Sequence, residues 1–274
     1  MRKQTEIAIS SGVDGIAALG LATEVAKLTE TERRTIMDWL GEDNAGRLQL
    51  GFTIFGTSVA EQITQVRNAE RAGANWVILQ PPIAGSFNAN EYIAFFGRVA
   101  EATSLPVAIQ NAPAFLGRGL GASDMAALTS RHPNIRLLKA EASAVEVESL
   151  IRTIGSGIPV FNGRGGLELI DGLNSGCAGY ILAPDVIDYA VRAYAYYQSG
   201  NLESALDTYS EMLPSIVFVM QSIEHLMCYG KRLFAERAGI DVFDRAPAMR
   251  PTIFGERLVR LHAQRLGRFE QTRR

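Results

Sequence analysis

The sequence predicts an α/β protein, a (β/α)8 TIM barrel with a C-terminal helical extension. Three observations predict this class. Apolar, β-branched runs recur along the first two thirds of the chain, a helical pattern follows each run, and the pattern after residue 184 is entirely helical. The apolar runs are nearly continuous, which is typical of parallel strands covered by helices. A chain of 274 residues can bury such a core as one unit.

The apolar runs define the strands of the predicted barrel. Seven strands are predicted: Val13–Gly20, Leu48–Phe55, Trp76–Pro82, Val107–Pro113, Ile135–Glu141, Ile158–Asn162 and Gly179–Pro184. Strand–helix repetition places such strands side by side in a parallel sheet. A (β/α)8 barrel has one strand more. We therefore expect residues 1–185 to form a barrel whose first strand is missing from this sequence.

Capping patterns and periodicity predict the helices. In a capping box, a hydroxyl and a glutamate three residues later satisfy free backbone N–H groups at a helix start. The boxes are Thr29 with Glu32, Ser58 with Glu61, and Ser143 with Glu146. A helix over Lys3–Ile9 precedes the first strand. Residues 186–274 are predicted to hold the closing helix of the barrel and the extension, as Val186–Ser199, Leu202–Met212, Ser215–Arg237 and Gly255–Phe269.

Composition excludes several function classes. The 27 Lys+Arg and 29 Asp+Glu give a net charge of -2, which argues against nucleic-acid binding. No run approaches the roughly 20 apolar residues that span a bilayer, so we expect no membrane contact and a cytoplasmic location. Cys177 and Cys228 are too few for a disulfide scaffold or a thiolate metal site, and we expect neither metal nor cofactor.

Lys139 is the residue that most needs an explanation. Only four of the 27 positive residues are lysines, and Lys139 is the only lysine between Lys27 and Lys231. Period-2 alternation puts Lys139 and Glu141 on one face of the predicted fifth strand, near the carboxyl end, where barrels carry their chemistry. Burial disfavours a charged ammonium, and the neutral amine attacks ketones. A catalytic amine and a structural ion pair with Glu141 both remain open at this point.

Segments distributed in order along almost the whole chain have counterparts in one known family. These segments are Gly12–Ile16, Leu19–Glu24, Lys27–Arg33, Pro106–Pro113, Leu137–Ser143, Phe161–Gly163 and Gly176–Ile181. They resemble the dihydrodipicolinate synthase / N-acetylneuraminate lyase family, which has Gly-Thr-Thr-Gly-Glu at the second segment, Tyr-Asn-x-Pro at the fourth and its Schiff-base lysine at the fifth. The resemblance implies a homo-oligomeric barrel, a dimer or tetramer, which holds a pyruvate-like 2-oxo acid as an imine on Lys139.

Three departures from the family pattern bear on activity. The paired threonines that hold the substrate carboxylate are Leu21 and Ala22 here, so only backbone N–H groups remain for that role. The tyrosine that relays protons is Gln110, and an amide is neither acid nor base near neutral pH. The acidic loop after the sixth predicted strand reads Gly163-Arg164-Gly165-Gly166, and Arg164 is a candidate ligand for a substrate carboxylate.

One branch of the family is more similar in its motifs. The 2-keto-3-deoxyarabonate dehydratases resemble this chain at Gln110-Asn111-Ala112-Pro113, at Lys139-Ala140-Glu141 and at the strand end Gln80-Pro81-Pro82. This resemblance implies dehydration of a 2-keto-3-deoxy sugar acid. Lys139, Glu141 and Gln110 would be catalytic, and Leu21, Ala22, Asn111, Gly163 and Arg164 would bind the substrate.

Three alternatives stay open. The first is a pyruvate-dependent aldolase, with Gln110 positioning a catalytic water. The second is a barrel that binds a phosphate at Asn162-Gly163-Arg164-Gly165-Gly166, where glycines let backbone N–H groups approach an anion. The third is a catalytically inactive barrel that binds 2-oxo acids, which the residues at positions 21, 22 and 110 favour.

Overall fold

The protein forms a curled parallel sheet with helices packed outside it. The computed structural model describes residues 1–269. Seven strands follow one another in the sheet in chain order, and every neighbouring pair is parallel. The strands are β1 Gly15–Ala18, β2 Gln49–Ile54, β3 Trp76–Leu79, β4 Val107–Asn111, β5 Ile135–Ala140, β6 Val160–Asn162 and β7 Gly179–Tyr180. This parallel sheet with helices outside it confirms the predicted α/β, barrel-like class.

The helices alternate with the strands and then continue alone. They are α1 Arg2–Ser10, α2 Glu30–Asn44, α3 Val59–Arg71, α4 Ala89–Ala100, α5 Pro113–Leu116, α6 Ala122–Arg131, α7 Ala144–Ile154, α8 Leu169–Asn174, α9 Ile187–Gln198, α10 Leu202–Val219, α11 Ile223–His225, α12 Lys231–Ala238 and α13 Ile253–Leu266. None of the helices within residues 1–269 combines the length and the apolar character that crossing a bilayer requires.

All seven predicted strands are present, but their ends differ from the prediction. β1 stops at Ala18 because Leu19 has a φ of 60°, a left-handed conformation that cannot continue a strand. Within residues 1–269, β1 and β7 each pair with one neighbouring strand. That the first strand of an eight-stranded barrel is missing from this sequence stays a prediction. The division of the chain at residue 185 stays a prediction as well. Of the extension, residues 270–274 lie outside the described part of the chain.

The predicted break between Met212 and Ser215 is wrong, because α10 continues through Pro214 to Val219. Proline removes one backbone donor inside a helix. Burial of Ile216 and Val219, both about 1% exposed, in the same apolar cluster as Met212 favours a continued helix. The chain breaks later, at Met220, and a π-helical turn at Leu226–Gly230 leads into α12.

Two of the three capping boxes form as predicted. Thr29 with Glu32 and Ser143 with Glu146 make both reciprocal hydrogen bonds. At α3, Ser58 accepts from the Glu61 backbone N–H, but the Glu61 carboxylate binds Thr57 instead of returning to Ser58. The predicted box of Ser58 with Glu61 is therefore an N-cap only, because the Glu61 side chain does not return to the Ser58 backbone.

A buried carboxyl group makes the stability of the fold depend on pH. Asp185 follows β7 and is fully enclosed, and burial raises its pKa from the usual 3.8 to about 7 despite the nearby Arg237 guanidinium. Between these two values the folded protein keeps a proton that the unfolded chain releases. The free energy of unfolding therefore falls as pH rises from about 4 to about 7, by at most about 1.4 kcal/mol per unit from this group.

We expect Asp185→Asn to remove this contribution. We subtract the free energy of unfolding of the natural protein from that of the variant. This difference should rise steadily between about pH 4 and pH 7, because only the natural protein loses stability through Asp185 as the pH rises. Urea unfolding at several pH values in this window measures the difference. Asp207→Asn, at an exposed position of α10, is the matched control. A constant difference between Asp185→Asn and the natural protein across the window would contradict the prediction.

Candidate active site

The site is built on the carboxyl end of β5. Lys139 lies on this strand, and Glu141 is the residue just beyond its end, so both side chains are on one face of the sheet. The Lys139 Nζ lies 3.1 Å from the Glu141 Oε1, and the two side chains are 9% and 11% exposed. The structure therefore contains the juxtaposition that period-2 alternation predicts, an amine and a carboxylate in contact away from bulk water.

Gln110 joins the pair from the neighbouring strand. The register of β4 and β5 places Gln110 opposite Lys139. Its Nε2 donates a hydrogen bond of 2.7 Å to the Glu141 Oε2, so the two carboxylate oxygens have different partners. Gln110 is only 1% exposed. The three residues predicted to be catalytic thus form one connected cluster.

A fourth residue, which the sequence reasoning did not assign to the site, extends this cluster. Gln80 follows β3, is 1% exposed, and donates from its Nε2 to the Gln110 Oε1 at 2.8 Å. Within residues 1–269, the buried Gln80 Oε1 has no hydrogen-bond partner. The sequence signal that could have identified Gln80 is a polar residue at the end of an otherwise apolar strand. Its partner depends on the register between β3 and β4, which sequence alone does not give.

Gly163 packs against the Glu141 carboxylate, and its predicted role in binding a substrate stays a prediction. It follows β6, and a Cβ placed on it would lie 2.5 Å from the Glu141 Oε1. Only a residue without a side chain leaves the carboxylate this position. The loop beyond β6 therefore helps to set the distance between Glu141 and Lys139.

We expect Gly163→Ala to displace the Glu141 carboxylate by roughly 1 Å, because the added Cβ would lie 2.5 Å from its Oε1. A crystal structure of the variant, with urea unfolding to check the fold, measures the displacement. Gly157→Ala is the matched control, since an added Cβ there meets nothing within 4 Å. A Glu141 carboxylate in the same position in both variants would show that Gly163 does not constrain it.

Asn111 uses both ends of its side-chain amide to hold the loop after β4. Its Nδ2 donates to the Leu120 carbonyl at 3.0 Å, and its Oδ1 accepts from the Leu120 N–H at 2.9 Å. The loop over residues 112–120 is closed by these two bonds. The predicted role of Asn111 in binding a substrate stays a prediction.

Arg164 has a carboxylate partner within the protein. Its Nη1 lies 2.5 Å from the Glu168 Oε2, and the two side chains are about 30% exposed. The backbone forms a short helical turn at Arg164–Gly166, with left-handed φ values of 50° at Arg164 and 63° at Gly165. A substrate anion would compete with Glu168 for the guanidinium, and the binding role of Arg164 stays a prediction.

Leu21 and Ala22 lie in a separate loop at the same edge of the sheet. They begin a single helical turn, Leu21–Thr23, after β1. Leu21 is half-buried and Ala22 is exposed. Backbone N–H groups in a first helical turn lack partners within the helix and can meet an anion. Among the described residues, no hydrogen bond or ion pair joins this loop to the Lys139 cluster.

A cavity of about 400 Å³ opens beside this loop, and Thr23, Glu24, Leu28, Phe243, Asp244 and Arg245 line it. Its charges are largely paired. The Lys27 and Lys231 ammonium groups contact Glu24 at 2.7 and 3.0 Å. Burial opposes ionisation of Glu24, yet these two hydrogen bonds lower its pKa.

Tyr180 on β7 does not replace the missing tyrosine of the family pattern. Its hydroxyl donates to the Glu168 carbonyl at 2.6 Å and lies against Gly172 of α8, outside the sheet. Burial raises the pKa of Tyr180, so it stays a neutral hydroxyl. Among residues 1–269, no three His, Cys, Asp or Glu side chains are grouped as metal ligands.

Together, these groups can perform chemistry on a carbonyl compound. A lysine amine in a nearly dry site can attack a carbonyl carbon, a contacting carboxylate can exchange protons with the adduct, and an amide donor can orient that carboxylate. Without a substrate, Lys139 and Glu141 in this cluster form a buried ion pair, which is the second interpretation of Lys139 that its sequence position leaves open.

Comparison with known proteins gives consistent matches. The family model described as "Dihydrodipicolinate synthetase family" matches residues 1–246. A protein named "Putative 2-dehydro-3-deoxy-D-gluconate aldolase YagE", from Escherichia coli (strain K12), is 29% identical over 154 residues, 56% of this chain and 51% of that protein. An L-2-keto-3-deoxyarabonate dehydratase from Azospirillum brasilense is 27% identical over 224 residues, 78% of this chain and 71% of that protein.

The solved structure of YagE in complex with pyruvate has the same fold, with a TM-score of 0.88 at 21% identity, over 97% of this chain and 91% of that one. By sequence, the alignment with YagE spans about half the length of that protein.

Proposed function

Because this chain belongs to the dihydrodipicolinate synthetase family, we propose that it is a lyase that holds a 2-oxo acid as an imine on Lys139. The observation that carries the proposal is the 3.1 Å contact between the Lys139 Nζ and the Glu141 Oε1 in a site that excludes most water. The relatives named above are an aldolase and a dehydratase, both lyases.

The first step forms the imine. Glu141 takes a proton from the Lys139 ammonium, and the neutral amine attacks C2 of the 2-oxo acid. Loss of the C2 oxygen as water leaves a C2=N iminium, which withdraws electrons from the C2–C3 bond and acidifies C3. The position of Glu141 next to the Nζ supports two roles: it takes this proton from the Lys139 ammonium, and it returns the proton to the C2 oxygen that leaves as water.

Dehydration of a 2-keto-3-deoxy sugar acid is the reaction that we favour. Glu141 removes a C3 proton, the electron pair forms the C2=C3 enamine, and this enamine expels the C4 hydroxyl. Glu141 returns its proton to the leaving oxygen, so water departs, and hydrolysis of the remaining iminium frees Lys139. One carboxylate serves both transfers, and this suits a site in which Gln110 can donate a hydrogen bond but cannot carry a proton.

The alternative is an aldolase reaction on the same imine. There a water that Gln110 positions carries the C4 hydroxyl proton to Glu141, C4 leaves as an aldehyde, and the electron pair of the broken C3–C4 bond forms the C2=C3 enamine. Glu141 then gives the proton to C3, and hydrolysis of the iminium releases pyruvate. The name of the Escherichia coli relative favours this reaction, and the name of the Azospirillum relative favours dehydration. The third possibility, an inactive barrel that binds a 2-oxo acid, forms the imine without turnover.

Substrate binding and assembly complete the proposal. The substrate carboxylate would meet the N–H groups of Leu21 and Ala22, with Arg164 as a second candidate after release from Glu168. A homo-oligomer, a dimer or tetramer, is supported by large apolar side chains at the surface. Among the most exposed are Phe243, Ile253 and Phe254.

Borohydride reduction in the presence of pyruvate tests the imine. We expect the peptide that contains Lys139 to gain the mass of the reduced pyruvate adduct, with the other three lysines unmodified. An unchanged peptide would overturn the proposal. Incubation with 2-keto-3-deoxy sugar acids then distinguishes the reactions: a dehydrated oxo acid supports dehydration, release of pyruvate supports the aldolase, and trapping without turnover supports the inactive barrel.

A further inference from the structure

A continuous line of buried amides leads away from Glu141 across two strands. Gln110 donates to the Glu141 Oε2 at 2.7 Å, and Gln80 donates to the Gln110 Oε1 at 2.8 Å. Both glutamines are 1% exposed, so water does not compete for these bonds. This line, which we call the amide relay, consists of Gln80, Gln110 and Glu141.

The direction of every bond in the amide relay follows from the charge at one end. A carboxylate only accepts hydrogen bonds, so Gln110 must present its Nε2 to Glu141 and turn its Oε1 the other way. That oxygen needs a donor, and the Gln80 Nε2 is the donor. With Gln80 reversed, two amide oxygens would face each other. The observed direction leaves the buried Gln80 Oε1 without a partner in the described part of the chain, a cost that a site without this constraint avoids.

The surroundings hold Gln80 in place. The Gln62 Nε2 donates to the Gln80 backbone carbonyl at 2.9 Å and to the Gly56 carbonyl at 3.3 Å. Pro81 follows directly and restricts the Gln80 backbone to extended conformations. The side chain that ends the relay therefore extends from a backbone fixed on both sides.

We infer that Gln80 is a positioning residue for the base of the reaction. Acting through Gln110, it keeps the Glu141 carboxylate aimed at C3 of the bound 2-oxo acid. The inference rests on the proposed function, in which Glu141 removes that proton. Lys139 does not belong to the amide relay and keeps its amine. Loss of Gln80 should therefore slow proton transfer by Glu141, at C3 above all, and leave the equilibrium amount of imine unchanged.

Two measurements on pyruvate separate these steps. Borohydride trapping reports the imine, and solvent deuterium exchange of the methyl protons reports the base. We expect Gln80→Met, which keeps the volume and removes the amide, to lower exchange about tenfold, the usual effect of losing one buried hydrogen bond. Trapping of imine that has reached equilibrium should stay within twofold. Gln65→Met is the matched control, because Gln65 is also a buried glutamine and its side chain bonds, within residues 1–269, only to the Phe55 backbone.

A double-mutant cycle tests whether Gln80 acts through Gln110. If it does, Gln80→Met has no further effect on exchange in a Gln110→Met background. Additive effects, or equal exchange in the Gln80→Met and Gln65→Met variants, would overturn the inference. If the natural protein does not trap pyruvate at all, the proposed function fails. A crystal structure of Gln80→Met then still tests the positioning, because an unmoved Glu141 carboxylate would overturn it and a rotated one would support it.

Discussion

Replacing Lys139 with methionine is expected to lower the proposed turnover of a 2-keto-3-deoxy sugar acid by at least about 10⁴-fold, because Lys139 is the only lysine that contacts Glu141 among the described residues. Lys139→Arg is the matched control for charge. It retains a positive partner for Glu141, yet a guanidinium does not form an imine, so both variants should be inactive and fail to trap pyruvate. Steady-state kinetics and borohydride trapping provide the two measurements.

The same substitution has an effect on stability that separates the two variants. Lys139→Met leaves the Glu141 carboxylate unpaired in a site where it is 11% exposed, and loss of one partner of a buried ion pair costs about 3–5 kcal/mol. Lys139→Arg should keep most of this stability. The double variant Lys139→Met with Glu141→Gln should recover it as well, because neither charge remains. Urea unfolding measures all three.

Two results would contradict these expectations. Turnover by Lys139→Arg above about one hundredth of the natural rate would exclude an obligatory imine. Equal unfolding free energies for Lys139→Met and its double variant would show that Glu141 is not held as a buried charge.

Replacing Glu141 with glutamine is expected to lower C3 proton exchange and turnover by about 10²- to 10⁴-fold, the range typical of a lost general base. Trapping of pyruvate on Lys139 at equilibrium should persist, since loss of the base slows proton transfer but leaves the amine in place. Glu148→Gln is the control, on α7, where the Glu148 side chain is 45% exposed and its carboxylate pairs only with Arg152 among the described residues. Exchange at the natural rate in Glu141→Gln would assign the base to another group.

Much of the architecture follows from local patterns. Every strand corresponds to a predicted apolar run, because parallel strands covered on their outer face need apolar side chains along their whole length. The contact of Lys139 with Glu141 follows from their separation of two residues on one strand, which fixes their common face. Residues that lie close in sequence and share one element are predictable in this way.

Contacts between elements are much less predictable. Gln80 meets Gln110 only because β3 and β4 pair in one register, and Gln110 meets Glu141 only because of the next register. The continuation of α10 past Pro214 likewise depends on a distant apolar cluster whose burial outweighs a local preference.

The place of β5 within the sheet has a mechanical consequence. In the described part of the chain, four strands, β1 to β4, lie on one side of it, and two strands, β6 and β7, lie on the other. Opening of β1 or β7 therefore leaves β5 paired with both of its neighbours, β4 and β6. Amide hydrogen exchange reports such an arrangement as protection that increases from the margins inward. Loops at the margins can thus change sequence and shape while the centre keeps its dimensions.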